Sequence, residues 1–89
     1  MRLDNFLKLS RLCPRRSVAK QLCDAGRVLL NGQPAKSAHV VKPGDEINIR
    51  RGDTETVARV VSVPGTRNVS RRDAAQMVEI VRDTNVRPD

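Results

Sequence analysis

Leu3, Phe6 and Leu7 fall at i, i+3 and i+4, the spacing of a helix with one buried stripe, and Asp4 lies in its first turn, where the helix dipole favours an anion. The pattern predicts a short helix over 3–9. Pro14 then interrupts, because its ring excludes a helical conformation for Cys13 and it has no N–H to donate. Ser17 is the predicted N-cap of a second helix, with Val18, Ala19, Leu22 and Cys23 inward and Gly26 at the C-terminal cap. Two short helices therefore meet around the loop 11–16.

After Gly26 the periodicity changes. Val28-Leu29-Leu30, Asn31-Gly32 and Gln33-Pro34-Ala35 read as a strand, a tight turn at positive φ, and a returning segment that Pro34 confines to a sheet edge. Lys42-Pro43-Gly44-Asp45 has the residues of a type II turn, and it launches a strand in which Ile47 and Ile49 alternate with Glu46, Asn48 and Arg50. Arg51-Gly52-Asp53 reverses the chain into a β-branched segment over 54–63, with Val57, Val61 and Val63 on one face, ending at Pro64-Gly65. The result is an antiparallel sheet of three to five strands. Ser70-Arg71-Arg72-Asp73 resembles a capping box, and Ala74, Met77, Val78 and Val81 at i, i+3, i+4 and i+7 predict an amphipathic C-terminal helix, with 83–89 frayed. The expected fold class is α+β: two short N-terminal helices packed on a small antiparallel sheet, with a C-terminal helix. One domain is expected over 1–65, with the helix and tail of 66–89 packed on it.

At 89 residues the chain buries only about 60 to 65 % of its unfolded surface, enough for one thin core, which argues against a second domain or a spacious cleft. Seventeen Lys and Arg against ten Asp and Glu give a net charge of +7. The excess is one-sided. Residues 1–42 hold nine basic groups (Arg2, Lys8, Arg11, Arg15, Arg16, Lys20, Arg27, Lys36, Lys42) against Asp4 and Asp24, whereas the rest holds eight of each sign. Such a concentration repels itself unless a polyanion meets it.

No stretch approaches the roughly 18 apolar residues of a membrane span, and Met1-Arg2-Leu3-Asp4 does not begin a signal peptide, so a cytoplasmic location is expected. Cys13 and Cys23, ten apart with a single His in the chain, indicate neither a zinc site nor a disulfide framework and read as small reduced hydrophobes. His39 reads as a surface residue, no phosphate loop or dinucleotide motif occurs, and Arg51-Gly52-Asp53 is hairpin chemistry. Neither an enzyme nor a cofactor is indicated.

What remains is basic residues at helical spacing. Lys8 and Arg11 are three apart and Arg16 and Lys20 four apart, each pair expected on one helix face, and Arg15-Arg16 stands at a helix start whose N–H groups favour anions. The binding residues this spacing points to are Lys8, Arg11, Arg15, Arg16 and Lys20. Phe6 is the only aromatic residue and belongs to the core, so no stacking platform exists. That argues against single-strand readout and for contact with the phosphates and 2′-hydroxyls of a folded RNA. Reading of a DNA major groove through Lys20 and Gln21 is the weaker alternative.

Arg2-Leu3-Asp4-x-Phe6-Leu7, Arg11-Leu12, Arg15-Arg16-Ser17-x-Ala19, Gly26-x-Val28, Asn31-Gly32 and Lys42-Pro43-Gly44-Asp45, in that order over 1–50, resemble the S-four RNA-binding domain. The resemblance implies two helices on a small sheet, with a basic helical face laid on structured RNA. Within that family the start Met-Arg-Leu-Asp-Asn-Phe-Leu-Lys, the run Ser10-Arg11-Leu12-x-x-Arg15-Arg16 and the tail Asp73-Ala74-Ala75-x-Met77 are similar to the RqcP family of bacterial ribosome-associated quality control factors. This implies binding to the rRNA of a large ribosomal subunit that still carries peptidyl-tRNA, in support of RqcH as it adds alanines to a stalled chain. Arg2 and Arg16 match RNA-facing arginines of the family, and Asp4 matches an acidic position that either orients Arg2 or caps the first helix. Cys13-Pro14 departs from the family, whose members often carry an apolar residue and then Lys. The alternatives are a heat-shock S-four protein that rescues blocked large subunits and an RNA-binding accessory subunit of an rRNA-modifying enzyme. No membrane or small-molecule partner is expected, and a monomer is the default.

Overall fold

The computed structural model describes residues 1–63 and 71–85. Its elements run α1 (Leu3–Leu9), α2 (Arg16–Asp24), β1 (Val28–Leu30), β2 (Gln33–Pro34), β3 (Glu46–Arg51), β4 (Thr54–Val60), α3 (Arg71–Ala75) and β5 (Val78–Asn85). The five strands form one antiparallel sheet in the order β2-β1-β3-β4-β5. Pro34, which cannot donate to a ladder, sits on the edge strand β2 as its chemistry requires.

The stripe of α1 forms the centre of the core: Leu3, Phe6 and Leu7 are fully buried against Ala19 and Cys23 of α2, Val28 and Leu30 of β1, and Ile47 and Ile49 of β3. Truncating a buried Phe of this kind costs about 3–5 kcal/mol. Cys13 and Cys23 are free thiols inside this core. Burial pushes the Cys23 thiol up to about 11 and raises that of Cys13 as well.

Turns fix the register. α2 ends in a Schellman motif, with Gly26 at φ 73 donating to the Cys23 carbonyl and Arg27 donating to that of Leu22. Asn31 and Gly32, at φ 52 and 83, make the β1–β2 turn. The Asn31 side chain also donates to Asp45 (3.1 Å) and accepts from the Glu46 N–H (2.9 Å), joining this turn to the Lys42–Asp45 turn. Burial works against ionisation of Asp45, yet the Lys42 N–H and the Asn31 amide donate to it and hold its carboxyl below the usual value.

Four expectations are corrected. The second helix begins at Arg16, with Arg15 as N-cap and no side-chain cap, because the Arg15 carbonyl already accepts from Ala19; Ser17 is its second residue, exposed. Pairing of Arg51 with Thr54 at the tight hairpin sets a register that puts Ala58 on the sheet face of Ile47 and Val57 on the other face, where it is buried; Val63 packs on the core as well, and Val61 alone of the predicted face is exposed. The long C-terminal helix is replaced by the short α3 and by β5, which pairs with β4 along its length. Val78, Ile80 and Val81 suit a strand, and β4 would otherwise present a row of unpaired backbone groups. Met77 and Ala74 are buried as expected, but Val81 sits exposed at a bulge opposite Val57 and Ala58. Asp83, expected to be frayed, belongs to β5, whereas Ser70, Pro64-Gly65 and 86–89 lie outside the described residues.

Candidate nucleic-acid interface

The N-terminal segment before α1 is extended and bridged to Val40. The Leu3 N–H donates to the His39 carbonyl (2.7 Å), the Asp4 N–H to that of Ser37 (3.1 Å), and the Val41 N–H to that of Met1 (3.0 Å). These bonds fix the direction in which Arg2 leaves the backbone. From the first turn of α1, Asp4 projects a carboxylate whose side chain is only 2 % exposed. Arg2 Nε stands 3.3 Å from Asp4 Oδ1, and Arg16 Nε, from the first turn of α2, donates to Oδ2 at 3.2 Å. Arg2 Nη2 reaches Oδ2 as well, at 3.3 Å, and the Asn5 N–H lies 2.7 Å from Oδ1. The residue preceding the helix, Arg2, makes no side-chain cap. Asp4 therefore holds two arginines and, through the Asn5 N–H, also satisfies a first-turn donor of α1.

Geometry and electrostatics favour this arrangement. A carboxylate this buried is tolerable only when paired and hydrogen-bonded. Both guanidinium groups keep about half of their side-chain surface in water, 49 % for Arg2 and 55 % for Arg16. Each arginine spends one edge on Asp4 and offers the rest of its donor fork outward, and the trio retains a net positive charge. Planar forks held in this way suit phosphate oxygens.

The other predicted residues lie on the same two helices and the loop between them. Lys8 is exposed in the last turn of α1, Arg15 is exposed at the start of α2, and Lys20 is exposed one turn beyond Arg16 on the same helix. Arg11 does not share a helix face with Lys8. The helix ends at Leu9, and Arg11 turns out of it at φ 65, its N–H donating to the Lys8 carbonyl. Its side chain projects from the α1–α2 loop instead.

Three described cations of the second half, Arg50, Arg59 and Arg82, are paired within the sheet. Arg50 and Arg82 flank Glu55 at 2.8 and 3.1 Å, and Arg59 lies 4.0 Å from Glu79. Donation from Arg50, and further from Arg82, holds the Glu55 carboxyl below its ordinary value. Arg51 is passed over by the charge count along the chain. It is exposed, makes no ion pair among the described residues, and stands near enough to the α1–α2 loop that its charge acts on the Cys13 thiol, against the effect of burial. Its position at the end of β3, opposite Thr54, gave no sequence signal for that proximity.

A family profile described as the S4 domain matches residues 1–47. The chain belongs to the S4 domain family. Among its relatives, the RQC P-site tRNA stabilizing factors of Halalkalibacterium halodurans and Bacillus subtilis are each 42 % identical over 93 % of this chain, covering 92 % and 94 % of those proteins respectively. The trimeric structure of Vibrio cholerae heat shock protein 15 superposes with a TM-score of 0.81 at 30 % identity, over 91 % of this chain and 81 % of that one. The match to the family profile contains α1, α2, the Asp4 trio and the first turns of the sheet. No described helix is long and apolar enough to cross a membrane.

Proposed function

We propose that this protein is an RNA-binding factor of bacterial ribosome-associated quality control, without catalytic turnover of its own. It binds the rRNA of large ribosomal subunits that retain peptidyl-tRNA, holds the tRNA in the P-site position, and so supports RqcH-directed alanine tailing in the cytoplasm. The observation that carries this reading is the exposed pair Arg2 and Arg16 on the buried Asp4, with Lys8, Arg11, Arg15 and Lys20 exposed on the same two helices and the loop between them. The names borne by relatives of nearly full-length similarity support the pathway. Mechanistically, fixed guanidinium forks contact phosphates from two RNA strands at once, and the surrounding cations lower the repulsion between them. The acting form proposed is a monomer.

The likeness to heat shock protein 15 favours one second reading, rescue of large subunits blocked by nascent chain and tRNA. Sedimentation of lysate containing the tagged protein tests the assignment. Co-migration with free large subunits carrying peptidyl-tRNA is expected, with alanine tails lost when the protein is deleted. Intact tailing in the deletion strain with binding preserved would favour the second reading, and retention at the top of the gradient would refute both.

A further inference from the structure

We propose that the groove between the α1–α2 loop and the β3–β4 hairpin binds the base of an unpaired nucleotide, guanine in preference to uracil, beside the arginine face. The inference rests on the RNA-binding reading above. The groove, of about 310 Å³, is lined by Leu12, Ile49, Arg51, Thr54, Thr56 and Asp83. That is the lower end of the range for small-ligand pockets, room for one nucleotide and not for a duplex.

The lining specifies the chemistry of the occupant. Leu12 and Ile49 supply an apolar floor. Arg51, whose guanidinium makes no ion pair among the described residues, supplies a flat cation, and such planes stack on bases where aromatic rings are absent. Beside Arg51 on the same sheet face, the threonine and aspartate part of the lining only accepts. The Thr56 hydroxyl donates to Asp83 Oδ1 at 3.1 Å and the Thr54 hydroxyl to the Arg51 carbonyl at 2.9 Å, so both hydroxyl protons are committed and their oxygens offer lone pairs. With Asp83 Oδ2 they form an acceptor surface carrying negative charge, which repels a phosphate and attracts N–H groups. Guanine presents adjacent N–H donors on its Watson–Crick edge. Uracil presents one, between two carbonyls that would face these acceptors. Leu12 directly follows Arg11, so a base turned out of a helix that rests on Arg11, Arg15 and Arg16 meets the groove at the border of that surface.

The test uses the full chain and fluorescence anisotropy with three synthetic RNA hairpins, one fully paired, one with a single bulged guanosine and one with a bulged uridine. Wild type is expected to bind the guanosine bulge about tenfold tighter than the uridine bulge, a difference of about 1.4 kcal/mol. Arg51→Ala and Asp83→Asn should each abolish that preference while binding to the paired hairpin persists. Arg16→Ala should weaken binding to all three and leave the ratio intact. Thr54→Val removes one acceptor while leaving Asp83 and its bond from Thr56 in place, and should lower the ratio even if Asp83→Asn melts early. Equal affinities for the two bulges, or a preference that survives these variants, overturns the groove assignment and leaves the RNA-binding reading standing. Failure of wild type to bind any of the three hairpins overturns the RNA-binding reading itself.

Discussion

Replacing Asp4 by Asn keeps the shape of the buried group and removes its charge, and it sets two expectations of opposite sign against each other. Simple electrostatics predicts tighter RNA binding, since a negative charge leaves the basic face. At roughly 7 Å in water, one such charge is worth only about 0.6 kcal/mol against a phosphate, less with salt. Positioning predicts the reverse. Asp4 holds Arg2 at 3.3 Å and Arg16 at 3.2 Å, and ordering a long side chain afresh on binding costs about 0.5–1.5 kcal/mol each. The two arginines together lose about 1–3 kcal/mol, so positioning wins. RNA binding should weaken by about 0.5–2 kcal/mol, roughly two- to thirtyfold. Folding should also lose about 1–3 kcal/mol, at the low end for charge-assisted bonds because both arginines are half exposed and screened. The assay is anisotropy with an rRNA hairpin, performed below the melting transition of the variant. The same substitution in an Arg2→Ala, Arg16→Ala background should no longer weaken binding, because nothing remains to position. Tighter binding by Asp4→Asn alone, or an undiminished loss in the double-alanine background, would refute the positioning role.

Arg16→Ala should weaken RNA binding by about 1–3 kcal/mol without unfolding the domain, whereas Arg59→Ala, whose charge meets Glu79, should leave affinity unchanged in the same titration. With about four to six phosphates neutralised, a plot of log affinity against log salt should fall with a slope of roughly −3 to −5, and a flat plot would count against the electrostatic mechanism. The buried Cys23 thiol, raised from 9.0 to about 11, keeps its proton while the unfolded chain loses one. Stability should therefore fall as pH rises from 9 to about 11 in chemical denaturation, and Cys23→Ala should flatten that alkaline limb. Asp45 and Glu55, both held below their ordinary values, act at the other end. Their contribution is complete above the unfolded values of 3.8 and 4.5 and is lost as pH falls through the lower folded ones, giving an acid limb that Glu55→Gln should shorten.

The first fifty residues were legible because local chemistry punctuates them. Pro14, Gly26, Asn31-Gly32 and Pro43-Gly44 each demand a backbone conformation that few other residues adopt, and the elements between them follow. Past Val60 the signals are non-local. Ala74, Met77, Val78 and Val81 satisfy a helical period, yet Val78 and Ile80 satisfy a strand equally well, and what decides is the vacant edge of β4, some twenty residues upstream. The role of Asp4 was hidden for the same reason: its nearer partner Arg2 is visible in the sequence, but Arg16 lies twelve residues away on another helix. Arg51 was obscured by counting charge along the chain, where Glu and Asp neighbours cancel it. In space its ion-pairing neighbours Arg50 and Arg82 share Glu55, and Arg51 is left beside the α1–α2 loop.

The central claim is that Arg2 and Arg16, held by Asp4, dock this domain on large subunits that carry peptidyl-tRNA. The most direct measurement compares wild type with the Arg2→Ala, Arg16→Ala variant for binding to purified large subunits, with and without peptidyl-tRNA, by pelleting. Wild-type binding that requires peptidyl-tRNA and falls at least tenfold in the variant is the predicted result. Equal binding by both proteins, or binding indifferent to the tRNA, would contradict it.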